Sequence, residues 1–114
     1  MRARLHQIVV DSRDPGTLVR FWAALLGGEP VDRGRGWSHV EPPGFARLAF
    51  QPVPGDKAGK NRLHLDIAVE DVAAAAAGAV RLGAAPAGAP VTDDQGSFQT
   101  MYDPEGNEFC FVGP

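Results

Sequence analysis

Residues Asn61–Val72 read NRLHLDIAVEDV, and the alternation inside this stretch decides the fold. Between Arg62 and Val69, one set of alternate residues is Leu63, Leu65, Ile67 and Val69, and the other is Arg62, His64, Asp66 and Ala68. Successive strand side chains point to opposite faces, so the pattern predicts a strand with one apolar and one polar face. Asp71 then caps a helix by accepting hydrogen bonds from its first free amides. Val72, Ala76, Ala79 and Val80 follow at helical spacing up to Gly83, and the apolar strand face is expected to pack under that helix. Alanine propensity carries the helix, while Gly78 inside it costs about 1 kcal/mol.

The same order occurs earlier in the chain. A strand over Leu5–Asp11 precedes Asp14-Pro15, where Asp14 caps and Pro15 suits the first helical position. Leu18, Phe21, Trp22, Leu25 and Leu26 form one stripe, and Gly27-Gly28 stops the helix. Asp71 lies 57 residues after Asp14, and Gly83 lies 56 after Gly27, an offset that suggests duplication of one unit. Ala46–Val53 and Asn107–Val112 read as the closing strands of the two halves. Glu29–Arg33, Trp37–Glu41, Ala87–Thr92 and Ser97–Tyr102 are weaker strands bounded by Gly, Pro or Asp. Asp103-Pro104-Glu105-Gly106 is a turn in which Asp opens, Pro presets the second residue and Gly closes. Gly55–Lys60 is a polar connector between the halves.

At 114 residues, with 44% apolar and 22% charged residues, the chain is long enough to bury a core as a single domain. A net charge of −3 without a basic stripe argues against nucleic acid as a partner. The lone Cys110 excludes an intramolecular disulfide and a clustered-cysteine zinc site. No apolar run approaches a membrane span and no leader is evident, so a cytoplasmic location is expected.

The apolar sets lie toward the helices. The opposite strand faces collect Gln7, Asp11, Arg47, Gln51, Arg62, His64, Asp66, Glu108 and Cys110. That mixture of acids, amides, imidazole and thiol looks more like the lining of a polar cavity than a solvent face rich in lysine and glutamate. Trp37, Phe50 and Phe98 are candidate substrate-binding walls, with Arg62 and Cys110 beside them. Tyr102 is expected in the core, and His39 as a satisfied or exposed histidine rather than a ligand.

Three stretches, DPGTLVRFWAALLG (Asp14–Gly27), NRLHLDIAVEDV (Asn61–Val72) and DPEGNEFC (Asp103–Cys110), together resemble the vicinal oxygen chelate superfamily. That superfamily holds glyoxalase I, bleomycin-resistance proteins and extradiol dioxygenases, and the match is to its glyoxalase-like subgroup. The resemblance implies an α+β fold, a single glyoxalase-like domain of two βαβββ modules, 1–54 and 61–114, joined by the connector. The modules would form a curved mixed sheet around a cleft, with the helices on the convex side. It also implies a homodimer that binds a small molecule.

In the enzymes of the superfamily, side chains from the first and last strand of each module hold a divalent metal. Here His64 matches the first strand of the second module, with Asp66 two residues along to orient it. The family's seven-residue spacing to the helix-capping Asp selects Gln7 rather than His6 in the first module. The glutamate expected seven residues after the turn Asp is replaced by Cys110, with Glu108 one rung earlier on the same face. In the first module, Gln51 or Ala49 holds the matching position, depending on register. The implied metal set is therefore His64, Gln7, Gln51 and Glu108, for Zn, Ni, Mn or Fe. Glu108 and Asp66 are the candidates for moving a proton. Two functions follow: a metal-dependent lyase, isomerase or dioxygenase, or a metal-free protein that sequesters its ligand.

Overall fold

The computed structural model describes residues 1–114 and divides them into two compact units, Met1–Asp56 and Lys57–Pro114. The division falls inside the Gly55–Lys60 connector. Each unit is α+β, with one α-helix and one mixed sheet.

The first unit runs β1 (Gln7–Ser12), α1 (Pro15–Leu26), β2 (Val31–Asp32), β3 (Ser38–Val40) and β4 (Arg47–Pro52). Its sheet order is β1-β4-β3-β2, with β1 parallel to β4 and the other pairs antiparallel. Asp14 caps α1: its carboxylate accepts from the Thr17 amide at 3.3 Å and the Thr17 hydroxyl at 2.7 Å. Leu18, Val19, Phe21 and Trp22 of α1 are buried against β3 and β4, with Val40, Leu48 and Phe50 beneath them. Leu25 and Leu26, at the end of the expected stripe, are only half-buried. The helix ends at Gly27, whose φ of 91° and ψ of 172° combine into a conformation that is essentially glycine's alone.

The second unit runs β5 (Leu65–Ala68), α2 (Val72–Leu82), β6 (Ala85–Pro86), β7 (Val91–Asp93), β8 (Gly96–Tyr102) and β9 (Glu108–Gly113). Its sheet order is β5-β9-β8-β6, with β7 also on β8 and β5 parallel to β9. Asp71 caps α2 by accepting from the Ala74 amide at 3.0 Å, and Gly83 closes it in the left-handed conformation. Val72, Ala76 and Ala79 lie flat on a layer made of Met101, Phe109 and Phe111. Small helix residues let the aromatic sheet side chains fill the space, and Phe109 and Phe111 meet edge to face with ring centroids 5.4 Å apart.

Four expectations are corrected here. Of the strand expected over Ala87–Thr92 only the end belongs to a strand, β7; β6 lies before it, and both pair with β8. Pro86 and Pro90 cannot donate to a ladder and bracket the break, where Gln99 donates its side-chain amide to the Gly88 carbonyl instead. Leu63 is exposed, because the strand begins only at Leu65. Val80 is exposed, since α2 rests on the sheet through its alanine edge. Tyr102 is exposed rather than in the core.

The turn before β9 is the most heavily bonded polar point of the second unit. Buried Asp103 accepts from the Glu105 amide at 2.9 Å, the Asn107 amide at 3.0 Å and the Asn107 side chain at 2.9 Å. Asp103→Ala would leave these donors unpaired beside the core. We expect a loss of about 3 kcal/mol in urea unfolding, with Asp103→Asn costing less because it keeps an acceptor.

Candidate functional site

Register decides which side chains share a face. In the second unit, Asp66 on β5 lies opposite Cys110 on β9, and Cys110 lies opposite Thr100 on β8. The three form one row across the sheet. The Thr100 hydroxyl and the Cys110 thiol are 3.3 Å apart. His64 sits two residues before Asp66 on the same face, with its Nε2 3.2 Å from an Asp66 carboxylate oxygen. Ligating atoms of His64, Asp66 and Cys110 all lie within 4.8 Å of one another. They share one wall of a cavity of about 480 Å³, to which Phe98 contributes an apolar edge. Gly96 permits the tight β7–β8 turn at its rim: its φ is +128°, and a Cβ there would come within 2.5 Å of the Gly113 carbonyl oxygen.

The donor set is one nitrogen, one oxygen and one sulfur. It suits an ion of borderline softness such as Zn²⁺ better than a hard ion such as Mn²⁺. Two further candidates are engaged or placed elsewhere. Arg62 is exposed and is not part of the cavity wall. Glu108 lies opposite Tyr102 on β8 and fastens the start of the unit: its carboxylate accepts from the Asn61 amide at 3.0 Å and lies 3.4 Å from the Lys57 ammonium. The Asn61 bond, reinforced by Lys57, holds this carboxyl below the usual glutamate range.

In the first unit the polar face is built differently. Gln7 lies opposite Arg47, Asp11 opposite Gln51, and Val9, Ala49 and His39 form the row between them. Superposing the two parallel strand pairs by the sequence repeat matches Val9–Ala49 to Asp66–Cys110. Ala49, not Gln51, is therefore the counterpart of Cys110, and it carries no donor. Gln7 lines a second cavity of about 320 Å³ with Arg33, Gly34 and Trp37, whereas His6 precedes the strand and is exposed. Phe50 is completely buried and belongs to the core, which corrects its reading as a substrate wall.

Arg33 is a residue that sequence reasoning missed, and His39, expected to be satisfied or exposed, is neither: its Nδ1 is buried without a partner. The Arg33 guanidinium lies over the Trp37 ring, 5.3 Å from its centroid. His39 is half-buried, and burial together with the Arg47 and Arg33 charges holds its imidazole below the usual histidine range. The alternation of Trp37, His39 and Glu41 is the signal that could have placed His39 on the polar face. Arg33 had no such signal, because it stands beside glycine in an irregular turn.

A family model described as glyoxalase-like domain matches residues 7–112. A glyoxalase/bleomycin resistance protein/dioxygenase family enzyme from Burkholderia phytofirmans PsJN is similar in structure, with a TM-score of 0.78 at 18% identity over 97% of this chain and 98% of that one. A superfamily member from Sphaerobacter thermophilus DSM 20745 gives 0.73 at 20% identity over 99% and 98%. Protein ATC0852 from Agrobacterium tumefaciens gives 0.78 at 20% identity over 98% of each chain. At these identities the likeness is one of fold. No curated protein matches.

The Glu108 anchor has a pH signature. Its folded-state pKa is lowered, so its stabilisation is present above the unfolded-state value of about 4.3 and fades as pH falls through the folded one. Glu108→Gln should cost about 1 kcal/mol at pH 7. Chemical denaturation of both forms should show that gap closing as the medium is made acidic.

Proposed function

This chain belongs to the glyoxalase-like domain family, and on that premise we propose that it binds a small organic molecule against its polar sheet faces, with a divalent ion of the zinc type held by His64, Asp66 and Cys110. The observation that carries this reading is the meeting of imidazole, carboxylate and thiol within 4.8 Å at the wall of an open cavity. Three protein donors leave a coordination position free for a ligand, as in catalytic rather than structural zinc sites. Bound there, the ion would supply Lewis-acid polarisation of a ligand oxygen.

The chain's own residues divide the remaining work. Asp66 orients the His64 ring, the Thr100 hydroxyl shares a hydrogen bond with the Cys110 sulfur, and Phe98 gives the cavity an apolar side. Glu108 anchors the Lys57–Asn61 segment and stands outside the ligand set. Gln7 and Gln51 belong to the first unit's face, where Ala49 leaves the fourth family position empty of donors. The family's lyases, isomerases and dioxygenases set the reaction classes open to such a site. The same reading makes the protein a cytoplasmic homodimer, in which pairing of strand edges across a two-fold axis would leave fewer of them exposed.

A metal-free sequestering protein is the second reading. It is favoured by Ala49 in the first unit and by the half-exposed state of His64 and Asp66, whose mutual contact is worth little in water.

Titration with Co²⁺ separates the two. A thiolate-to-cobalt absorption band in the near ultraviolet is expected, lost in Cys110→Ser. Zn²⁺ should raise the melting temperature, and His64→Ala should weaken its affinity by about tenfold or more. No band and no thermal shift would leave the metal-free reading standing.

A further inference from the structure

We infer that the polar face of the first unit takes the carboxylate of a small planar organic acid, with Arg33 donating to it, Trp37 as the flat wall and Gln7 accepting from a hydroxyl on the same ligand. The inference rests on the chain being a small-molecule binder, but not on any ion at His64.

Three buried side-chain atoms in this unit have no hydrogen-bond partner: Gln7 Oε1, Arg33 Nε and His39 Nδ1. Folded proteins pair nearly all such atoms, so three of them in one unit mark a place where something else is bound. Gln7 and Arg33 line the same cavity, and His39 lies on the same sheet face. The orphaned groups are one acceptor, one charge-bearing donor and one imidazole nitrogen. A ligand that satisfies them must carry both an acceptor and a donor.

Charge selects the acceptor. Arg47 is drawn to Glu41, which its Nε and terminal amino group reach at 3.2 Å and 3.0 Å. The buried Nε–H of Arg33 is left as the unspent cationic donor. An anion is the natural partner of that donor, and a carboxylate matches guanidinium geometry. Shape selects the body. The guanidinium lies over the indole of Trp37, which gives the cavity a flat aromatic boundary. About 320 Å³ is the lower end of small-ligand pockets and suits a single ring.

The test uses the isotopically labelled full chain without added metal, titrated with 4-hydroxybenzoate and separately with its neutral methyl ester. The acid should shift the Arg33 Nε–H and Trp37 indole N–H resonances saturably. The indole of Trp22, an α1 residue buried in the core, should stay still. The ester and the Arg33→Gln protein should each bind about tenfold more weakly or worse, and Arg33→Lys, which keeps charge without the planar donor, should also lose affinity. Equal affinity for acid and ester, unchanged affinity in both Arg33 variants, or no shift at Trp37 would each overturn the inference. Because no metal is present, those outcomes are separate from failure of the Co²⁺ titration.

Discussion

The parallel pairing of first and last strand in each unit is the constraint on which everything else depends. β1 lies on β4 and β5 lies on β9, each pair bridged by its helix. A parallel partner cannot be reached through a tight hairpin, so the intervening helix and hairpin strands are obligatory. Helix burial fixes the register, since a one-residue slip would send Phe109 and Phe111, or Leu48 and Phe50, to the wrong side. Once that register is set, Asp66, Cys110 and Thr100 must line up across the second sheet. Val9, Ala49 and His39 must do the same across the first. The chemistry of the faces is thus a by-product of packing on the opposite side.

The two units use this shared geometry for different ends. The second gathers an imidazole, a carboxylate and a thiol. The first gathers guanidinium, amide and indole, with alanine where the second has its thiol. One scaffold therefore carries two differently furnished polar faces. Such divergence needs no change in the core, because alternate strand positions vary independently.

Much of this was legible in the chain itself. The caps at Asp14 and Asp71, the stops at Gly27 and Gly83 and the turn at Asp103 carry local chemistry that no distant contact overrides. His64 and Asp66 were legible as face-mates from their spacing alone. What stayed hidden depended on long-range facts. Glu108 looked like a free carboxylate because nothing in its neighbourhood reveals that Asn61 and Lys57, some fifty residues earlier, close on it. Phe50 was offered as a wall for its aromatic ring, yet its alternation with Leu48 set it on the helix side, where it is completely buried. The choice between Gln51 and Ala49 turned on one rung of register, which only the paired strand could decide.

Pro86 and Pro90 have an effect beyond dividing one strand into two. They sit on the outer border of the second sheet, where an uninterrupted row of backbone donors would invite a foreign chain to dock. Removing two of those donors, and bending the segment between them, spoils the template for stacking into fibres. The molecule gives up a few ladder bonds at this margin and gains resistance to self-association in crowded conditions.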